Sequence, residues 1–242
     1  MTAGADIRFV AHLDMLGMSA LSIRDPDRGW AVLLELALAV EERFGLQLHL
    51  ANTGEPIHDR STEFIFSDTV VAFTEGDTPA DLQAIVVKVT EFFASATARS
   101  IPMRGGVAHG RFMVDHKQNL FAGPALVHAF RLGEDAQWLG IRVDDEVAAR
   151  AKAIPMFVGL ANEPFIIPWR FQDECASDES SHVINWIASH RESFTVSRAI
   201  LVEEFYKPFE DLFGAFEDLP DRTKQKYINT VAFMNAQLGY AK

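Results

Sequence analysis

The chain is expected to fold as an α+β protein, a mostly antiparallel sheet with helices on one face, carrying a mostly helical C-terminal extension. Three observations predict this. Segments with strand character occur both as a hairpin and separated by amphipathic helical segments, in the order βαββαβαβ, which does not suit a doubly wound parallel sheet. The pattern changes beyond about residue 150. The length, 242 residues, suits a core domain of about 150 residues with an addition, here divided as 1–150 and 151–242, the second packing on the first.

Residues 7–13, IRFVAHL, read as a strand, and DMLGMSAL follows as a turn that Gly17 allows to bend sharply. From Pro26 to Phe44, apolar residues such as Trp30, Leu34 and Leu38 recur at helical spacing, and Gly45 stands where a helix-ending glycine is expected. Leu46 to Ala51 reads as a strand, and EFIFSDTVVAF, from Glu63 to Phe73, as a hairpin turning at Ser67 and Asp68. A second helix begins at a Thr78 or Asp81 cap and runs to about Arg99.

MRGGVAHGRFMVD, 103–115, returns to strand with a glycine pair inside it. NLFAGPALVHAFRLGEDAQ gives a third helix with Pro124 near its start, and LGIRVDDEV a further strand. In the extension, SSHVINWIASHRESF and DRTKQKYINTVAFMNAQL read as helical, and the surroundings of CASDESS as a solvated acidic loop. Trp169, Trp186, Phe205, Tyr206 and Phe209 are expected to fill a core between the extension and the sheet.

Composition narrows the function. The formal charge of −12 disfavours a nucleic-acid partner, whose phosphates demand a basic face, yet leaves room for a small anion held by a few N–H groups and a divalent cation. No apolar run approaches the ~18 residues of a membrane span. MTAGADIRF lacks the basic and apolar regions of a signal peptide, and the single Cys175 fits a reducing compartment, so a cytoplasmic protein is expected. The eight histidines show no zinc-ligand spacing.

An aspartate inside FVAHLDMLGM is the feature that demands chemistry, because an ionised carboxylate in an apolar run needs a cation, N–H donors or solvent. Asp14 ends the first strand and Asp68 sits at the hairpin turn, so a β-α-β-β unit can bring both to one sheet edge. Paired carboxylates suit magnesium or manganese, with substrate phosphates completing the shell. Two such ions about 3.5–4 Å apart can hold both the attacking and the leaving oxygen of an in-line displacement. The backbone N–H groups of Met15, Leu16 and Gly17 are expected to form a phosphate-binding nest. Gly105 and Gly106 mark either a bulge or a close approach by a ligand or another backbone. Arg104 and Arg131 are candidates for neutralising phosphate charge.

FVAHLDMLG, FSDTV, RGGVAHG and GPALVHAFRL, in that order, resemble the class III nucleotidyl cyclases, and more closely the bacterial pyrimidine cyclases of Pycsar antiphage defence. The likeness covers roughly residues 7–148. It implies a ferredoxin-like βαββαβ core and a homodimer with active sites at the interface. Asp14 and Asp68 match the metal aspartates for two Mn²⁺ or Mg²⁺ ions, and the Met15 carbonyl an extra metal ligand. Arg131 matches the arginine that neutralises transition-state charge, and Met15, Leu16, Gly17, Phe64 and Arg104 fall at the substrate. Phe64 and Pro124 stand where purine cyclases carry base-reading polar residues, and Val127 where they carry a ribose-positioning asparagine.

The expected activity is therefore conversion of UTP to 3′,5′-cyclic UMP and pyrophosphate, the product signalling to a separate effector protein during phage infection. The alternatives are a cytidylate cyclase and a catalytically inactive nucleotide-sensing or dimerisation domain. No nucleic-acid partner and no membrane insertion are expected.

Overall fold

The structure, a computed structural model, describes residues 6–49, 54–118, 120–154, 157–158, 163–171, 181–191 and 197–240. In chain order the elements are β1 (Asp6–Met15), α1 (Met18–Arg24), α2 (Pro26–Phe44), β2 (Ser61–Phe66), β3 (Thr69–Thr74), α3 (Pro79–Ala98), β4 (Met103–Asp115), β5 (Leu120–Ala122), α4 (Pro124–Glu134), β6 (Gly140–Val143) and α5 (Asp145–Lys152). Then come β7 (Phe157–Val158), β8 (Glu163–Pro164), β9 (Ile166–Trp169), β10 (Ser181–Ile184), α6 (Trp186–His190), α7 (Val202–Tyr206), α8 (Glu210–Phe213) and α9 (Asp221–Gln237).

The main sheet runs β2-β3-β1-β4-β6-β10-β9, with β5 paired to β4. Among the described residues only its β4–β6 pair is parallel, so the architecture is the mixed, mostly antiparallel α+β arrangement expected. Phe9, Ala11 and Leu13 of β1 enter one large core with Leu36 and Val40 of α2 and Leu82, Ile85, Val89 and Phe92 of α3. Strand alternation turns Val10 to the opposite face, where it meets Phe73, Phe112 and Ala125 with Phe64 and Phe121 packed on them. Thus α2 and α3 share a face as expected, while α4 covers the other.

The glycine pair is what admits α4. A Cβ on Gly106 would lie 2.4 Å from the Ala129 carbonyl oxygen and 2.6 Å from Leu132 Cβ, and one on Gly133 would lie 3.0 Å from Gly105 Cα. Of the expected alternatives, close approach by another backbone is the one realised. At the helix starts, Asp25 caps α2 through the Arg28 N–H at 3.0 Å, and Thr78 and Asp81 together form a capping box on α3.

Several boundaries differ from the sequence reading. Leu46 to His49 form no strand beyond an isolated His49–Pro56 bridge, since proline has no N–H with which to continue a ladder; 50–53 lie outside the described residues. Asp145–Val147 open α5, with the Asp144 side chain accepting the Val147 N–H at 2.7 Å.

Ser181–Ile184, expected as helix, is strand β10, because β6 needs a neighbour and the buried Val183 and Ile184 supply it between β6 and β9. The extension therefore continues the sheet as well as adding helices. Trp186, Tyr206 and Phe209 are buried and Trp169 and Phe205 pack on the same core, as expected; Cys175 and most of the CASDESS loop lie outside the described residues.

Candidate active site

Asp14 lies opposite Thr69 on one side and Arg104 on the other. The alternation Val10, His12, Asp14 keeps its side chain out of the large core and on the α4 face, where it is half-buried. The β2–β3 turn comes to it. Ser67 takes a left-handed φ of 56°, and the Met15 N–H donates to the Asp68 carbonyl oxygen at 3.0 Å, fastening the turn to the end of β1. The Asp14 carboxyl is held above the ordinary carboxylate range, chiefly by burial; Arg104 opposes this, and the negative charges of Asp68 and Glu134 add to it.

Arg104 is buried rather than solvated. Its guanidinium reaches Asp14 Oδ2 at 3.4 Å and the Glu134 carbonyl oxygen at 3.2 Å, and is ion-paired to the Glu134 carboxylate. Glu134 closes α4, so the helix admitted by the glycine pair also delivers a carboxylate to this cluster.

Lys226 of α9 is also buried here. Its ammonium is pushed down to about 8, first by burial, then by Arg104 and Arg222, against the opposing pull of Glu134 and Asp14. Sequence reasoning missed both Glu134 and Lys226. The second left a trace, since Lys226, Asn229, Thr230 and Phe233 follow the spacing of one buried helix face.

The phosphate nest is not formed as expected. The Met15 N–H is bonded to Asp68, and the Leu16 N–H donates to the Pro102 carbonyl oxygen at 2.8 Å, because β1 runs on to Met15 and its end is tied to its neighbours. Gly17 has another reason to be glycine: its φ is 83°, and a Cβ there would lie 2.7 Å from the Phe213 ring.

Phe64 packs in the aromatic cluster on the α4 face, 4.4 Å from Phe121 and 5.9 Å from Phe73 between ring centroids. Pro124 opens α4, and Val127 and Arg131 are exposed on it. The Arg131 guanidinium makes no hydrogen bond or ion pair among the described residues.

Asp14 and Asp68 meet at one end of the sheet, where the Met15 N–H holds the Asp68 carbonyl oxygen and the charge of Asp68 acts on Asp14. Among the described residues no group of three or more His, Cys, Asp and Glu side chains is gathered to hold a metal. The half-buried Asp14 carboxylate, with the negative charge of Asp68 acting on it, fits a hard divalent cation that shares its shell with phosphate oxygens. Among the described residues no helix is long and apolar enough to cross a membrane.

No protein-family model matches the chain, and no curated protein matches it. Solved structures do. The guanylyl cyclase domain of the RhoGC fusion protein from the aquatic fungus Blastocladiella emersonii superposes with a TM-score of 0.52 at 14% identity, over 75% of this chain and 95% of that one. The catalytic core of a rhodopsin-guanylyl cyclase with converted specificity, in complex with ATPαS, gives 0.50 at 15% identity, over 74% and 95%. The chain has the fold of the class III nucleotidyl cyclase catalytic domains.

Proposed function

We propose that the protein is a metal-dependent nucleotidyl cyclase that converts a pyrimidine nucleoside triphosphate, UTP, to its 3′,5′-cyclic monophosphate, a second messenger in antiphage defence read by a separate effector. The observation that carries the reading is the meeting of Asp14 and Asp68 at one end of the sheet, on the α4 face of a cyclase fold. Two Mn²⁺ or Mg²⁺ ions held by these carboxylates and the Met15 carbonyl would lower the pKa of the ribose 3′-hydroxyl and neutralise the triphosphate. The 3′-oxygen then bonds to the α-phosphorus as the bond to the β-phosphate oxygen breaks, pyrophosphate leaves, and the hydroxyl proton passes to solvent.

In this reading Arg131 offsets charge developing on the α-phosphate, and it acts on the site of a second subunit. Its exposure, beside the exposed apolar Val127 and Phe130 on the same helix face of α4 (49% and 45%), supports a homodimer joined at this face. Phe64 and Pro124 carry no hydrogen-bonding side chain, which supports a base other than a purine. CTP shares that support, and Val127 in place of a polar ribose contact favours the second reading, nucleotide binding without turnover.

One experiment separates these. The purified protein is incubated with UTP, CTP, ATP or GTP and with Mn²⁺ or Mg²⁺, beside an Asp68→Ala control, and products are identified by mass spectrometry. A single cyclic pyrimidine nucleotide absent from the control is expected. A cyclic purine product would overturn the base assignment, and absence of any product together with retained triphosphate binding would establish the binding module.

A further inference from the structure

We propose that Lys226, delivered by the C-terminal helix α9, is a phosphate-binding residue of the nucleotide site, working beside Arg104 against the polyphosphate chain. The inference rests on the cyclase reading above and extends the site beyond the part of the chain in which its aspartates lie. The placement of α9 comes first. Asn229 donates to the Gln137 carbonyl oxygen at 2.8 Å, the Leu139 N–H donates to Thr230 Oγ1 at 2.8 Å, and Arg222 reaches Gln137 Oε1 at 3.4 Å. These bonds fix the first half of α9 against residues 137–139, which directly follow α4 and its terminal Glu134. Lys226 lies between Arg222 and Asn229 on the same face of the helix.

Its charge lacks a dedicated partner. Lys226 is 8% exposed, and Asp14, Glu134, Arg104 and Arg222 all act on it through space. Yet its ammonium makes no hydrogen bond or ion pair with any of them among the described residues. Lys224, two positions away, is by contrast bonded to the Glu217 carbonyl oxygen at 2.7 Å. A lysine whose stem is buried and whose ammonium tip has no bonded partner is well placed to receive an anion that comes to meet it. The nearby carboxylates, Asp14 and Glu134, are already engaged by Arg104. An incoming polyphosphate, with its metal on the aspartates, supplies the missing partner, and an ammonium is a suitable point charge for it.

The test is calorimetric binding of inorganic tripolyphosphate, in the presence of Mn²⁺, to the full chain and to K226M, K226Q and K226R, with K152M as a control of equal charge change elsewhere. Melting temperature is recorded for each. K226M and K226Q are expected to bind at least about tenfold more weakly, K226R and K152M to bind nearly as the wild type, and all to melt close to it. Binding by a folded K226M or K226Q within about twofold of wild type overturns the proposal, as does failure of K226R to restore it. Absence of tripolyphosphate binding by the wild type would instead strike the cyclase reading itself.

Discussion

Arg104 lies directly across the β1–β4 ladder from Asp14, and one guanidinium both reaches the Asp14 carboxylate at 3.4 Å and pairs with Glu134. Without a metal, that cation is the counter-charge that permits Asp14 to sit half-buried beside Asp68. A divalent cation arriving at Asp14 meets its repulsion, while an arriving triphosphate is attracted to it. Arg104 therefore opposes one ligand of the proposed site and favours the other.

This opposition has a signature in Arg104→Met. Metal binding in the absence of nucleotide should tighten severalfold to about tenfold, and tripolyphosphate binding should weaken by a similar factor. Stability should fall by about 1–3 kcal/mol, less than for a fully buried pair because the Glu134 side chain is 43% exposed. Titration calorimetry of Mn²⁺ and of tripolyphosphate reads the two signs separately, and parallel weakening of both would contradict this account.

Removing either aspartate should abolish turnover without unfolding the chain. Asp14→Asn and Asp68→Asn retain shape while deleting a charge, and a loss of at least about a hundredfold in kcat is expected for each. Melting in the absence of metal should stay close to wild type for both, in Asp14→Asn because the lost charge was partly desolvated and repelled by Asp68. Mn²⁺ should raise the melting temperature of the wild type and leave both variants unmoved.

Gly106→Ala tests the positioning of α4. Its methyl group would meet the Ala129 carbonyl oxygen at 2.4 Å, a backbone atom that can yield only if the helix shifts. The cost should be about 1–3 kcal/mol, measured by chemical denaturation. Because α4 carries Arg131 and Glu134, kcat should fall at least about tenfold even where the variant is fully folded; a folded variant with wild-type kcat would detach α4 from the chemistry.

The parts of this site legible in the sequence are those fixed by local pattern. Asp14 interrupts an apolar strand, Asp68 follows Ser67 in a hairpin, and Thr78 with Asp81 spells a capping box, so each announces itself within a few residues. Glu134 reads only as the end of a helix, and its pairing with Arg104 depends on the glycine pair Gly105 and Gly106, far earlier in the chain, admitting that helix. Lys226 lies 212 positions after Asp14, and its approach depends on bonds from α9 to residues 137–139. The phosphate nest fails to form for a related reason: whether an N–H is free depends on the strand or turn that claims it, here Asp68 and Pro102.

A buried charge away from the site gives a pH test. Glu63 on β2 is held above the ordinary carboxylate range by burial, which outweighs the attraction of Lys88 from α3 and a backbone hydrogen bond; Lys88 in turn faces Asp59 and donates to the His58 carbonyl oxygen at 2.5 Å. A raised carboxylate contributes stability below its unfolded value of 4.5, and that contribution is lost as pH rises through the folded value. Glu63→Gln, fixed in the neutral form, should therefore match the wild type near pH 4 and be the more stable protein at pH 7. Denaturation at the two pH values measures the difference, and a variant less stable at pH 7 would show that the Lys88 attraction dominates.

Arg131 offers the most direct test of a shared site. Its guanidinium makes no hydrogen bond or ion pair within its own chain among the described residues, and in the proposed dimer the aspartates of one subunit use the arginine of the other. Asp68→Ala and Arg131→Ala should each be inactive alone. In a heterodimer of the two, one site loses both groups and the other keeps both. Random reassociation of equal amounts makes half the dimers mixed, each with one intact site, so about a quarter of wild-type activity should return. Coexpression with distinct affinity tags isolates the mixed dimer, which should show about half. A mixed dimer with no activity would mean that both groups act within one chain, and an Arg131→Ala homodimer with wild-type activity would mean that Arg131 has no part in turnover.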